Sequence, residues 1–143
     1  MFGRKSDVEP TRHLIGTATA WGGLPETEAY YYIETDPRPV GRYTLTMKDV
    51  PVDAFWSVTA YNRDGFFEPN QYDTYNVNSV TAVPEEDGSV IVTFAPDDTG
   101  PGYHLYIEDG WNYGLRLYRP RAAVLDRSWT PPWASRTSCC GAP

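Results

Sequence analysis

Residues 51–62 read PVDAFWSVTAYN, a run with no charge after Asp53 that collects Phe55, Trp56, Val58 and Tyr61 in a short span. Aromatic and β-branched residues suit a pleated, half-buried surface, so the run is read as the central strand of a β-sheet. Side chains alternate along a strand. Trp56, Val58 and Ala60 therefore share one face, and Phe55, Ser57, Thr59 and Tyr61 share the other. One face is oily; the other offers hydroxyls and a phenol.

The same period of two extends to both sides. Ala29–Thr35 is read as a strand closed by Asp36-Pro37-Arg38-Pro39, and Arg42–Lys48 alternates cleanly, with Tyr43, Leu45 and Met47 on its apolar side. Asn62-Arg63-Asp64-Gly65 is a turn with glycine where a positive φ is wanted. Phe66–Thr74 is a longer loop rich in rings and amides, followed by strands at Tyr75–Ala82, Ser89–Ala95, Tyr103–Ile107 and Asn112–Arg119. In the last, Tyr113, Leu115 and Leu117 share a face, leaving Asn112, Arg116 and Tyr118 opposite.

Upstream the period changes. Pro10 suits the first turn of a helix, Leu14, Ile15, Ala18 and Trp21 follow one helical side, and Gly22-Gly23 before Pro25 is a stop signal, so a helix is expected over Pro10–Trp21. About seven short strands at this spacing predict an all-β fold, an antiparallel β-sandwich or jelly roll with one short N-terminal helix. Residues 1–130 are expected to form this single domain, with strands from about Glu28, and residues 131–143 an irregular tail.

The 143 residues suffice for one self-supporting core. Twelve Lys and Arg against 19 Asp and Glu leave a net charge of −7, which argues against nucleic acid or an anionic membrane as a partner. No apolar run approaches a membrane span, and Met1–Asp7 has no signal-like apolar region. As written the chain reads as cytoplasmic, or as periplasmic or secreted if an export signal has been removed. Cys139 and Cys140 are adjacent in a polar stretch, where a bridge between neighbours is strained, so no intrachain staple is expected.

Several segments taken together resemble a known family. They are Arg12-His13-Leu14-Ile15-Gly16-Thr17-Ala18 with Trp21-Gly22-Gly23-Leu24-Pro25; Val50 to Val58 with Tyr61-Asn62; Asp87-Gly88-Ser89; and Gly110-Trp111-Asn112-Tyr113 with Arg116-Leu117-Tyr118-Arg119-Pro120 and Ser128-Trp129. Their order resembles the bacterial domain of unknown function 1214, over nearly the whole chain to about Trp129. The resemblance implies a jelly-roll-like β-sandwich and no established reaction. In many relatives this unit is the C-terminal half of a larger, often exported protein. The family usually has glycine where this chain has Ala54, and a more proline-marked run than Tyr103-His104-Leu105-Tyr106 before the Gly-Trp-Asn-Tyr motif.

Candidate chemistry gathers on the polar sheet face. Ser57, Thr59, Tyr61, Asn112, Arg116 and Tyr118 either form a solvated sheet face or the seat of the N-terminal helix, or stack on and hydrogen-bond a glycan or a small polar molecule. Trp56 and Trp111 are read first as core packing, and Trp111, just after the turn glycine Gly110, as the alternative candidate for the border of a cleft. Arg116 is expected either to pair with a nearby carboxylate or to hold a ligand's anion. Catalytic ingredients are sparse: His13 and His104 lack metal-type spacing, Ser57 lacks a glycine-flanked nucleophile turn, and no cofactor fingerprint occurs. The carboxylate pairs Glu85-Glu86, Asp97-Asp98 and Glu108-Asp109 all fall in predicted turns. Neither a metal nor a cofactor is expected.

The leading expectation is a non-catalytic binding or assembly module. One alternative is a hydrolase or lyase on a small polar substrate using His13 or His104. Another is a structural protein that self-associates, as a homo-oligomer, through a surface its longer relatives would cover.

Overall fold

The computed structural model describes Ser6, residues 8–19 and residues 23–137. Two four-stranded sheets stack face to face. The first holds β1 (Ala29–Arg38), β7 (Trp111–Tyr118), β3 (Trp56–Tyr61) and β4 (Asn76–Asn78) in the order β1-β7-β3-β4. The second holds β6 (Tyr103–Tyr106), β5 (Val90–Ala95), β2 (Tyr43–Met47) and β8 (Ser135–Arg136) in the order β6-β5-β2-β8. The expected all-β sandwich is therefore present, and the strand order supports the sandwich without going further toward a jelly roll.

The core lies between the sheets and is built from alternate residues of each strand. Trp56, Val58 and Ala60 of β3 and Trp111, Tyr113, Leu115 and Leu117 of β7 meet Tyr43, Leu45 and Met47 of β2 and Val90, Val92 and Phe94 of β5. Phe94 packs against Trp111 and Tyr113, with ring centroids 4.8 and 5.2 Å apart, and Tyr43 meets Trp111 edge-on at 5.1 Å. These contacts join the two sheets. Arg38, at the end of β1, lies 5.7, 5.7 and 5.6 Å from the ring centroids of Tyr43, Trp111 and Tyr113, its charge met by Glu34 at 3.0 Å. A cation over several ring faces adds electrostatic attraction to their burial.

Among the described strands all pairings are antiparallel but one. β5 and β6 run parallel, with Phe94 opposite Leu105. Parallel neighbours usually need a crossover of about a dozen residues. Here residues 96–102 suffice because Gly100 (φ 137°) and Gly102 (φ 72°) adopt backbone conformations closed to most side chains, and a Cβ at Gly102 would strike the Ile91 carbonyl.

Helix α1 (Pro10–Thr19) begins at the expected proline, and the Glu9 carboxylate accepts hydrogen bonds from the Thr11 and Arg12 amides at 2.9 and 2.7 Å. The continuation to Trp21 and the Gly22 stop lie outside the described residues, as do Cys139 and Cys140. The apolar side of α1 does not pack as its periodicity suggests: Leu14 is 70% and Ile15 54% exposed, and the helix makes no extended contact with either sheet.

The segment expected to be irregular after residue 130 contributes β8, which pairs with β2. Buried Ala134 donates its amide to the Tyr113 hydroxyl at 3.1 Å and accepts from Arg38 at 2.7 Å. A short helix α2 (Ala122–Leu125), unanticipated from sequence, buries Val124 beneath this region. Ala54, where glycine is usual in the family, is exposed and is not in the left-handed region, so its methyl group strains nothing.

Phe94→Ala should cost about 3–5 kcal/mol, because it empties the junction of Trp111 and Tyr113; urea denaturation of the variant against the parent measures it.

Turn carboxylates stabilise the fold in one pH direction. Hydrogen bonds from the Ser89 hydroxyl, the Lys48 ammonium and the Ser89 amide hold Asp87 well below the usual carboxylate range. The Thr99 hydroxyl and Arg42 lower Asp97, and the Ser128 hydroxyl and amide lower Asp126. Each carboxyl binds its proton less readily when folded than when unfolded. Its contribution is complete above the ordinary carboxylate range near about pH 4 and is lost as pH falls through the lower folded value. The melting temperature should fall steadily below about pH 4, and Asp87→Asn should reduce that acid-side fall.

Candidate functional site

The outer side of the first sheet is where the sequence-predicted residues converge. Pairing of β7 with β1 and β3 sets Tyr31, Arg116 and Ser57 in one row across the sheet, and β4 adds Asn78 opposite Ser57. The next row runs Ile33, Gly114, Thr59 and Asn76, and Asn112 faces Tyr61 beyond it. Ser57, Thr59, Tyr61, Asn112, Arg116 and Tyr118 thus all stand on this side. Alternation dictates it, since Trp56, Val58, Tyr113, Leu115 and Leu117 are committed to the core.

Arg116 is the centre of the arrangement. Its Nη1 donates to the Thr59 hydroxyl at 2.8 Å, its Nη2 donates to the Tyr61 hydroxyl, and its guanidinium lies 5.8 Å from the Tyr61 ring centroid. No described carboxylate lies within ion-pair distance of it, so the expected carboxylate partner is absent from its surroundings among the described residues. Two hydroxyls on the neighbouring strand orient the cation without neutralising it.

Rings frame the cation. Tyr61 stacks on Phe67 at 5.8 Å and 17°, and Phe67 stacks on Tyr75 at 5.3 Å and 26°. Phe67 is half exposed and Phe66 beside it is 69% exposed. Sequence reasoning recognised an aromatic loop but did not bring Phe67 and Tyr75 to the face. The signal was the Phe66-Phe67 doublet immediately after the Asn62–Gly65 turn, which folds back through the Asn62 amide donating to the Phe66 carbonyl at 2.8 Å. Gly114 has no side chain to fill its place in the second row, and Ile33 and Tyr61 close over it: a Cβ there would lie 3.1 Å from Ile33 Cδ1 and 3.6 Å from Tyr61 Cε2.

The other candidates divide. Asn112 Nδ2 donates to the Asn62 carbonyl at 3.2 Å and so braces the turn. Tyr118 stacks on Phe55 at 4.2 Å and 19°, one row from Arg116 and on the side away from Tyr61. Trp111 takes the core-packing reading and not the cleft border offered as its alternative. It is fully buried on the core side, and its Nε1 donates to the Pro39 carbonyl at 3.3 Å, because odd-numbered β7 residues face the opposite sheet.

The histidines stand apart. His104, on β6 of the second sheet, has Nε2 3.0 Å from the Ala95 carbonyl, which can only accept, so the proton sits on Nε2. Its Nδ1 is buried without a hydrogen bond, with Asp98 Oδ1 3.7 Å away. Ser57 and His104 therefore belong to different sheets, and His13 is exposed on α1. The carboxylate pairs are occupied with turns: Asp97 accepts from Arg42 and the Thr99 amide, Glu108 accepts from the Tyr106 hydroxyl, and Asp109 accepts from the Val40 amide. Among the described residues no cluster of three or more His, Cys, Asp or Glu could hold a metal ion, and no helix is long and apolar enough to cross a membrane.

A cleft of about 290 Å³ opens at one end of the sandwich, lined by Met47, Asp49, Val52, Trp56, Ser79 and Val90 among others. None of the polar-face residues lines it.

The fold and this face define a two-sheet β-sandwich domain with a polar-aromatic outer surface. The chain belongs to the DUF1214 family, described as a protein of unknown function, whose profile matches residues 33–122. Its fold is similar to the crystal structure of the VPA0106 protein from Vibrio parahaemolyticus, at 21% identity and a TM-score of 0.76, over 93% of this chain and 36% of that one. It is also similar to an uncharacterized protein from Burkholderia cenocepacia, at 22% identity and a TM-score of 0.55, over 80% of this chain and 31% of that one. The chain thus spans about a third of the length of these structures. No curated protein matches it.

Arg116→Gln should lower stability by about 1–3 kcal/mol, the net worth of the two hydrogen bonds to Thr59 and Tyr61. A loss several times larger in urea denaturation would mean that the residue serves the fold and not the surface.

Proposed function

We propose that this domain is a non-catalytic binding module whose ligand, a glycan or small polar molecule, lies on the outer face of the first sheet. One observation carries the reading: a guanidinium, hydroxyls and partly exposed rings stand together on one outer sheet face, with Thr59 buried beneath the guanidinium and Phe67 half exposed beside it. Rings supply flat apolar area, and the polar groups between them supply directional hydrogen bonds, the combination by which proteins hold sugars and similar molecules.

The hydrolase or lyase alternative has less support. His104 Nε2 is engaged by the Ala95 carbonyl, and the hydroxyl-bearing face belongs to the other sheet. The turn carboxylates act as caps and ion-pair partners, a role that needs no reaction to explain it.

Isothermal titration against a panel of mono- and disaccharides and small polar metabolites tests the reading. At least one should bind, and Phe67→Ala should weaken it roughly two- to tenfold through loss of stacking while the melting temperature holds. A panel without a single binder, at protein concentrations where millimolar affinity is measurable, would sink the proposal.

A further inference from the structure

We infer that the ligand of this face carries a carboxylate, seated on Arg116, on a sugar ring that lies against the Tyr61–Phe67–Tyr75 stack. The inference rests on the binding reading above and names its chemical class. It begins with charge. In a chain of net charge −7, Arg38, Arg42 and Arg121 pair with Glu34, Asp97 and Asp53. The other described arginines without a carboxylate, which are Arg12, Arg63, Arg119, Arg127 and Arg136, are all exposed to water. Arg116 alone among the described arginines is part-buried and lacks a counter-ion. A partly desolvated cation loses hydration, and an incoming anion restores the missing compensation.

The hydrogen-bond polarity of the site agrees. Thr59 and Tyr61 accept from Arg116, so the Tyr61 hydroxyl keeps its own proton to donate outward, and the rest of the guanidinium fork is unpartnered among the described residues. A site that presents donors suits a group that only accepts. A carboxylate is such a group, and it matches the planar fork with two parallel hydrogen bonds where a neutral hydroxyl can make one. The stacked rings adjoin Arg116 through Tyr61, so a ring bearing the carboxylate can contact Phe67 while its charge meets the guanidinium.

Titration with D-glucuronate and D-glucose, which share one ring and differ in the carboxylate, tests this directly. Glucuronate should bind at least tenfold more tightly, and the preference should shrink as salt is raised. Arg116→Gln should abolish it, with folding checked by near-ultraviolet circular dichroism. Tyr61→Phe, which removes one donor and keeps the ring, should weaken glucuronate several-fold and glucose much less. Lys48→Gln, the same loss of charge on the other sheet, should leave the preference intact. Equal binding of the two sugars, or a preference that survives Arg116→Gln, overturns the inference while the binding face stands. Failure of both sugars together with the whole panel overturns the binding reading as well.

Discussion

Strand β7 is paired on both edges, and its alternation constrains everything around it. Trp111, Tyr113, Leu115 and Leu117 go to the core, so Asn112, Gly114, Arg116 and Tyr118 must go to the outer face. A slip of one residue against β1 or β3 would exchange the two sets, exposing four large apolar side chains and burying a guanidinium. The cost of that exchange holds the register, and the register in turn sets Arg116 beside Thr59 and Tyr61. Core and candidate site are thus two consequences of one pairing.

The second sheet completes the core from the other side and depends on less regular devices. Phe94 and Tyr43 reach across to Trp111 and Tyr113, while Arg38 lies over three of these rings and holds the Ala134 carbonyl. Residues after Trp129 are therefore part of the packed domain, at least through β8. The parallel β5–β6 pair is closed through Gly100 and Gly102, and the backbone at Gly102 passes the Ile91 carbonyl too closely for any side chain. Aromatic abundance, which in the sequence is only a composition, becomes in the fold two separate populations. One seals the sandwich; the other, Phe66, Phe67, Tyr75 and Tyr31, lines its surface.

That surface is unusual in its electrostatics more than in its shape. It is a sheet face, not a deep cavity, and Arg116, its part-buried cation among the described residues, is oriented by hydroxyls. The nearest alternative, the cleft at the sandwich end, mixes polar and apolar groups in its lining and collects none of the polar-face residues. Family membership and likeness to longer bacterial structures establish the domain and its fold, and the chemistry has to be read from this chain's own side chains.

How much was legible beforehand follows the range of the physics involved. A period of two is local, so the sequence by itself determined β1 to β7 in outline, though Tyr75–Ala82 shortens to Asn76–Asn78, together with the apolar partners Val58 and Leu117 and the common facing of Ser57, Thr59 and Tyr61 within one strand. The turn glycines and the opening proline of α1 were equally local and equally readable. Tertiary structure alone decided which strands became neighbours. Only that brought Arg116 within reach of Thr59 and Tyr61, more than fifty residues away, left it without an ion pair among the described residues, and laid Phe67 and Tyr75 along the face. It also turned Trp111 inward, left Leu14 exposed on α1, and drew Ser135 and Arg136 into a sheet edge. Those outcomes depend on long-range pairing, in which each strand's gain is set by partners that no local pattern names.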